Sequence, residues 1–298
     1  MKNIEENNPL VSVVIPCYNH EQFVQESIKS VIDQDYKNIE LIVIDDGSKD
    51  HSIEKIQEML PACEERFARF EFRHRANKGL CATLNEAITW CEGKYISFIA
   101  SDDLMRNYKT HEQVKFLEDN LDSIGVFGGV EVLYKNGYKK EITKKRNSYS
   151  FNDIFLHKHN LPAPTSMIRL KNIKMTNGFR ENYIIEDWPM WLDLTEAGGE
   201  LNYLDRVFAS YRRHDGNLSG DFEKMYKGRM QIVDTFKGKR NYKKAKAKID
   251  LIHANEIQTV NKIESIPYML KALLKDFTLV FSLLYIKYIV KFFYLKTN

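Results

Sequence analysis

The chain has 298 residues, 43 % of them hydrophobic and 12 % aromatic, enough for one large domain or one domain with an appendage. Its net charge of +3 is too small to argue for a nucleic-acid partner. Cys17, Cys63, Cys81 and Cys91 lack CxxC or zinc-finger spacing and read as isolated reduced thiols, and the polar, acidic start from Met1 to Pro9 lacks the apolar core of a secretory signal.

Leu10 to Ile15 is a short, β-branched, almost wholly apolar run ended by Pro16, which predicts a strand buried on both faces. Pro16-Cys17-Tyr18-Asn19-His20 is then a loop, and Phe23, Val24, Ile28, Val31 and Ile32 predict a helix from about Glu21 to Asp33. Ile39 to Ile44 is a second buried strand, ending in Asp45-Asp46 and Gly47. Asp50 is placed to cap a helix running to about Leu60, where Pro61 follows. A third strand fits Arg69 to Arg73, a turn fits Asn77-Lys78-Gly79, and Leu80, Leu84, Ala87, Ile88 and Cys91 share a helix face. Tyr95 to Ile99 is the next strand. Strand and helix alternate, which predicts a mostly parallel α/β sheet flanked by helices.

The second half differs. Ile124 to Val130 reads as a strand and Asn136-Gly137 as a hairpin turn. A short helix fits Asn152 to His159 and a strand fits Thr165 to Leu170. Ile185-Glu186-Asp187-Trp188-Pro189 enters a helix that stops at Gly198-Gly199, and Leu201 to Arg212 returns as a strand.

The strand at Tyr95 runs into Ala100-Ser101-Asp102-Asp103. Acids at the carboxyl edge of an α/β sheet lie where such folds bind ligands. Adjacent carboxylates repel, so either a hard divalent cation that also holds phosphate oxygens compensates them, or one of them caps the next helix. Asp45, by contrast, reads as a backbone cap of the Gly47 turn.

Six stretches, in order, resemble an inverting family 2 glycosyltransferase of the GT-A fold, of the bacterial surface-polysaccharide type. They are Ser12-Val13-Val14-Ile15-Pro16-Cys17-Tyr18-Asn19, Val43-Ile44-Asp45-Asp46-Gly47-Ser48, Asn77-Lys78-Gly79-Leu80, Ala100-Ser101-Asp102-Asp103, Glu186-Asp187 and Tyr211-Arg212-Arg213-His214. Each is weak alone; their order makes the likeness specific, and it runs from about Pro9 to Ser219. It implies a GT-A catalytic domain over 1–220 and leaves 221–298 as a helical, basic and apolar extension.

The resemblance implies transfer of a sugar from a nucleotide diphosphate donor to an acceptor hydroxyl, with Mg²⁺ or Mn²⁺. It gives nucleotide binding to Pro16, Tyr18, Asn19, Asp46, Lys78, Asp102 and Arg212. Tyr18 would stack on the base, and Asp46 would accept the uracil imide N–H, favouring UDP. Metal binding falls to Asp103 and His214, with Arg212 or Arg213 on the phosphates and Asp215 to Ser219 as a lid. Ala100 replaces the first acid of the commoner motif. Asp187 matches the catalytic base, and Glu186 and Trp188 the acceptor side; Trp191 is a second stacking candidate or core. His157 and His159 lack supporting acids and read as surface or acceptor-groove residues rather than metal ligands.

Lys237, Lys239, Arg240, Lys243, Lys244, Lys246 and Lys248 form a basic run on a predicted helix, with a solvated face as the plain reading. Tyr268 to Leu295 is apolar, aromatic and studded with lysine. Its uncharged run between Asp276 and Lys287 is too short for a span, which needs about 20 residues. It suits either an interfacial helix on the anionic inner face of the cell membrane or a packing helix. Attachment there fits a cytoplasmic enzyme acting on a polyprenyl-diphosphate-linked acceptor in capsule, O-antigen or lipooligosaccharide synthesis. Competing readings are a non-catalytic sugar-nucleotide-binding subunit and a nucleotidyltransferase. The latter wants a glycine-rich phosphate loop after the first strand, and a dinucleotide oxidoreductase wants GxGxxG there; the chain has neither.

Overall fold

The computed structural model describes residues 8–213 and 220–294. The chain divides into two compact units, one of Met1–Phe151, Asn160–Glu181 and Met190–His214, the other of Asn152–His159, Asn182–Pro189 and Asp215–Asn298.

In the first unit β1 (Val11–Cys17), α1 (Val24–Ile32) and β2 (Ile39–Asp45) follow the hydrophobic pattern, and every residue of β2 is buried. The stretch after β2 departs from expectation. It forms two helices, α2 (Ser52–Gln57) and α3 (Leu60–Arg66), and Pro61 opens the second rather than ending the first. Proline lacks an N–H that the first helical turn does not use, so it suits a helix start as well as a stop. Then come β3 (Arg69–His74), α4 (Leu80–Trp90), β4 (Tyr95–Phe98), the two-residue β5 (Leu104–Met105) and α5 (Lys109–Asp119). The remainder of the sheet is β6 (Ser123–Leu133), β7 (Lys139–Ile142), β8 (Asn147–Tyr149), β9 (Met167–Arg169) and β10 (Glu200–Arg212).

The strand order is β3-β2-β1-β4-β9-β6-β10-β5, with β7 paired to β6 and β8 to β10. β1 to β4 pair in parallel, as the continuous apolar runs of β1, β2 and β4 predict. β9 runs antiparallel between β4 and β6, and β10 is parallel to β6, so the sheet is mixed. Val13, Ile15, Ile28, Leu41 and Val43 lie at the heart of the core under this sheet.

A buried acidic side chain braces this sheet. Glu40, fully buried in β2, accepts hydrogen bonds from Ser12 Oγ, the backbone N–H groups of Glu92 and Gly93, and Arg69 at 2.8 Å. It pins the turn that launches β4. A Cβ on Gly93 would stand 2.7 Å from the Ser12 nitrogen and Oγ, so only glycine fits. The four cysteines are free and buried.

α7 (Leu170–Lys174) follows β9. The second unit contains most of α6 (Phe151–Phe155), the first turn of α8 (Asp187–Glu196) and the C-terminal helices α9 (Phe222–Asp234), α10 (Tyr242–Ile257), α11 (Lys262–Lys275) and α12 (Leu283–Tyr294). The apolar tail is therefore not one helix. Asp276 ends α11 and caps a 3₁₀ turn, Phe277–Phe281, by accepting the Thr278 N–H. Ala247, Leu251, Ala272 and Leu279 form a small core there. Among the described residues no helix is long and apolar enough to cross a membrane.

Candidate active site

In the first unit a cavity of about 340 Å³ opens at the carboxyl ends of β1, β2 and β4. Pro16, Tyr18, His20, Asp46, Ala100 and Ser101 are among its lining residues, with Gly79, Leu80 and Thr83 from the turn and helix after β3. Tyr18 is 45 % exposed, which leaves its ring available to stack. Burial pushes the Cys17 thiol, also in the lining, up to about 12, so it is no nucleophile at neutral pH.

The loops around the cavity are laced together. The Asn19 N–H donates to Ser48 Oγ at 2.8 Å, and its Oδ1 accepts the Lys49 N–H at 2.7 Å. His20 Nδ1 lies 2.7 Å from Ser101 Oγ, and the His20 N–H donates to Ser52 Oγ at 2.9 Å. Asn19 thus joins the loops after β1 and β2, and the left-handed φ of 54° that it adopts is one asparagine tolerates. Asp45 caps the Gly47 turn as expected, accepting the N–H groups of Gly47 and Ser48 at 3.1 and 2.8 Å.

Asp46 is 4 % exposed and already engaged. Its Oδ1 accepts from Arg75 and from the Lys78 N–H at 2.8 Å, and its Oδ2 from the Gly79 N–H at 2.8 Å. A carboxylate has about four acceptor positions, so a base contact remains chemically open. Lys78 contributes its backbone here while its side chain is exposed and outside the cavity lining. The sequence reading missed Arg75, which also binds Glu86 and Thr83.

Asp102 and Asp103 follow Ala100 and Ser101 directly and are 7 % and 2 % exposed. The antiparallel pairing of β5 with β10 brings them to Arg212: Leu104 faces Ser210, and Asp103 Oδ1 accepts the Arg212 N–H at 2.9 Å. Arg212 Nε donates to the Asp102 carbonyl at 3.0 Å, its Nη2 donates to Glu26 at 2.6 Å, and its guanidinium lies 4.8 Å from the Phe23 ring. Its fork is thus turned to the protein, and what it does here is hold the acidic pair in place. Burial, and then the charge of Asp102, holds the Asp103 carboxyl well above the ordinary carboxylate range. Among the described residues no three His, Cys, Asp or Glu side chains converge as a full metal cage. Two oxygen donors without a cage fit Mg²⁺ or Mn²⁺, which complete their shell with substrate phosphates and water. His214 and the expected lid, Asp215 to Ser219, lie outside the described residues.

In the second unit Glu186 and Asp187 are adjacent, half-buried carboxyls. Burial raises both, Glu186 to about 7 with the charge of Asp187 adding to it, and Asp187 to about 6. Asp187 Oδ1 accepts the Trp188 N–H at 2.6 Å. Trp188 is 3 % exposed; its Nε1 donates to the Ile154 carbonyl at 3.1 Å, and its ring centroid lies 4.0 Å from that of His157. No ring face is open for a sugar, so the expected stacking is replaced by anchoring of the Asp187 turn. His157 is packed in this anchor rather than at the surface. In the first unit Trp191 is core, edge-on to Phe127.

Residues 12–174 match the family model "Glycosyl transferase family 2". An uncharacterized glycosyltransferase of Haemophilus influenzae is 28 % identical over 98 % of this chain and 95 % of its own length. One from Rickettsia conorii is 41 % identical over 38 % of this chain, a match that spans only 18 % of that longer protein. Among solved structures, S. aureus TarS 1–349 in complex with UDP-GlcNAc superposes with a TM-score of 0.62 at 19 % identity, covering 88 % of this chain and 79 % of that one. Mannosyltransferase PcManGT from Pyrobaculum calidifontis, in complex with GDP-Man and Mn²⁺, gives 0.63 at 14 % identity, covering 92 % and 76 %. At these identities the likeness is one of fold: the mixed sheet flanked by helices is that of GT-A proteins.

Proposed function

Because this chain belongs to glycosyl transferase family 2, we propose that it transfers a sugar, with inversion, from a nucleoside diphosphate donor to a hydroxyl of a lipid-linked glycan acceptor. UDP is the favoured nucleotide. The observation that carries the reading is the buried Asp102–Asp103 pair, beside a cavity that offers Tyr18 for stacking and Asp46 at its wall. TarS was solved with UDP-GlcNAc and PcManGT with GDP-Man and Mn²⁺, which supports a sugar-nucleotide donor and a divalent metal here.

In this reading Tyr18 stacks on the base, and Pro16 and Asn19 shape the wall it rises from. Asp102 faces the ribose and Asp103 would hold Mg²⁺ or Mn²⁺, with Arg212 keeping the Asp103 carboxylate and the Asp102 backbone in position. When bound, the metal neutralises charge that builds on the departing nucleoside diphosphate. Inversion needs a base on the side opposite the leaving group, and that role is assigned to Asp187. A carboxyl near 6 is mostly ionised at neutral pH yet basic enough to take a hydroxyl proton as the bond forms. Glu186, raised by burial and by the charge of Asp187, holds its proton more readily than an ordinary carboxyl and is suited to donate a hydrogen bond to the acceptor.

Residues 1–220 form the catalytic part of the proposal and 221–298 the attachment to the inner face of the cell membrane, in capsule, O-antigen or lipooligosaccharide synthesis. The exposed apolar side chains Leu274, Phe277, Phe281 and Leu283 support that placement. Calorimetric titration of UDP, with and without Mn²⁺, against wild type and Asp103→Ala tests the donor site. Metal-dependent binding lost in the variant supports the proposal. Silence from UDP, dTDP and GDP alike would refute it.

A further inference from the structure

The C-terminal unit contains a second cavity, of about 540 Å³, between α9, α10 and α11. Four lysines line it: Lys243 and Lys246 from α10, Lys271 and Lys275 from α11. Two of them are committed to the wall. Lys246 reaches Asp234 at 2.8 Å, and Lys275 reaches the fully buried Asp250, whose other oxygen accepts the Tyr226 hydroxyl at 2.8 Å. Lys271 stands 3.9 Å from Asp250 with its side chain half exposed, and Lys243 is exposed. Two carboxylates therefore face four ammonium groups, and the surplus positive charge points into an open groove.

One exposed apolar side chain lines the same groove, and others follow it in the chain. Leu274 lines it at 88 % exposure, and Phe277 and Phe281 follow in the chain at 70 % and 84 %. On α12, Leu283 and Phe293 are exposed as well, and the sequence carries no acid after Asp276. A water-soluble anion would account for the lysines and leave those apolar side chains unexplained. A phosphate attached to hydrocarbon accounts for both, because ammonium groups donate to its oxygens while Leu274 and the phenylalanines lie at the acyl level.

We propose that this groove binds the phosphate of an anionic phospholipid in the bilayer, so that the C-terminal unit holds a defined headgroup site rather than only a diffusely charged face. The proposal rests on the membrane-attachment reading above and makes it specific to Lys243 and Lys271.

The test is flotation of the full chain with phosphatidylcholine vesicles, with and without phosphatidylglycerol. Lys243→Gln/Lys271→Gln is compared with Lys237→Gln/Lys244→Gln, the same charge change outside the groove. Lys246 and Lys275 are left alone because they neutralise Asp234 and Asp250. The groove variant is expected to lose about tenfold or more in affinity for phosphatidylglycerol vesicles, at the usual worth of a lysine near an anionic surface. The control variant is expected to lose much less. Equal losses in the two variants would overturn the headgroup site and leave general attachment standing. Tight binding of glycerol 3-phosphate without vesicles would overturn the lipid as ligand. A wild-type chain that floats with neither vesicle type would overturn the site and the attachment reading together, while UDP titration of the same sample reports separately on the donor site.

Discussion

Asp103 accepts the backbone N–H of Arg212 while the Arg212 side chain returns a hydrogen bond to the Asp102 carbonyl, so a strand end and an acidic turn hold each other through β5 and β10. Neither contact neutralises the Asp103 charge fully, and its carboxyl is held above the ordinary range by burial and by Asp102. Burial and the neighbouring acid thus both work against ionisation of Asp103, while Arg212 works for it.

Replacing Asp103 with asparagine keeps an oxygen for the Arg212 N–H and removes the charge. Turnover is expected to fall by about 10²–10³-fold, the usual cost of losing one transition-state charge stabiliser. Mn²⁺-stimulated UDP binding is expected to vanish while thermal stability holds or rises. Rates, calorimetry and a melting curve on one preparation check all three.

Asp187 sets a pH dependence. With its carboxyl raised to about 6, the base form fills as pH rises, so kcat is expected to climb from pH 5 to 7 and then level. Asp187→Asn is expected to remove that limb and about 10³-fold of the rate or more, with UDP affinity unchanged. The sign for stability is opposite. A carboxyl raised in the folded state binds its proton more tightly there, so stability is lost as pH rises from the ordinary carboxylate value through the raised one. Glu186→Gln is therefore expected to be more stable than wild type at pH 8, by about 1 kcal/mol in urea unfolding after allowing for partial exposure, and to show no gain near pH 4.

Lys109 is fully buried, donates to Ser97 Oγ and to the Ser166 carbonyl at 3.1 Å, and is pushed down to about 7 by burial. Its folded value lies below its unfolded one, so the unfolded chain binds the extra proton and stability rises with pH from about 7 toward 10. Ser97 Oγ donates to the Ser166 carbonyl at 2.6 Å regardless, so Lys109→Met leaves those partners satisfied. It is expected to stabilise the protein by about 1–3 kcal/mol at pH 6 and by less at pH 9, read from urea unfolding at both.

Gly93→Ala tests the launch of β4. The added carbon would press on backbone and Oγ atoms of Ser12 that Glu40 holds in place, and the expected loss is about 1–3 kcal/mol by urea unfolding.

β1, β2 and β4 were legible because strands buried on both faces write themselves as continuous apolar runs, and the acids that follow them mark the sheet edge. β5 was not: two residues carry no period, and Leu104–Met105 is a strand only because β10 lies beside it. Pro61 was misread because the chemistry that stops one helix also opens another. The site divides in the same way. Asp45 capping a local turn could be read from Gly47 two residues on, but Arg75 on Asp46, Ser101 on His20 and Arg212 on Asp102 join residues far apart in the chain. Trp188 shows the limit of residue type: tryptophan suits both a sugar platform and a buried anchor, and only packing against His157 separates them.

The lacing of Asn19, His20 and Asp46 to Ser48, Ser101 and the Lys78–Gly79 backbone has a thermodynamic corollary. These loops are already tied before any nucleotide arrives, so docking a base against Tyr18 draws little on conformational entropy from the cup itself. Cutting one of the ties, as in Ser48→Ala, would shift that ordering onto the binding event and lower affinity from a position outside the cavity lining.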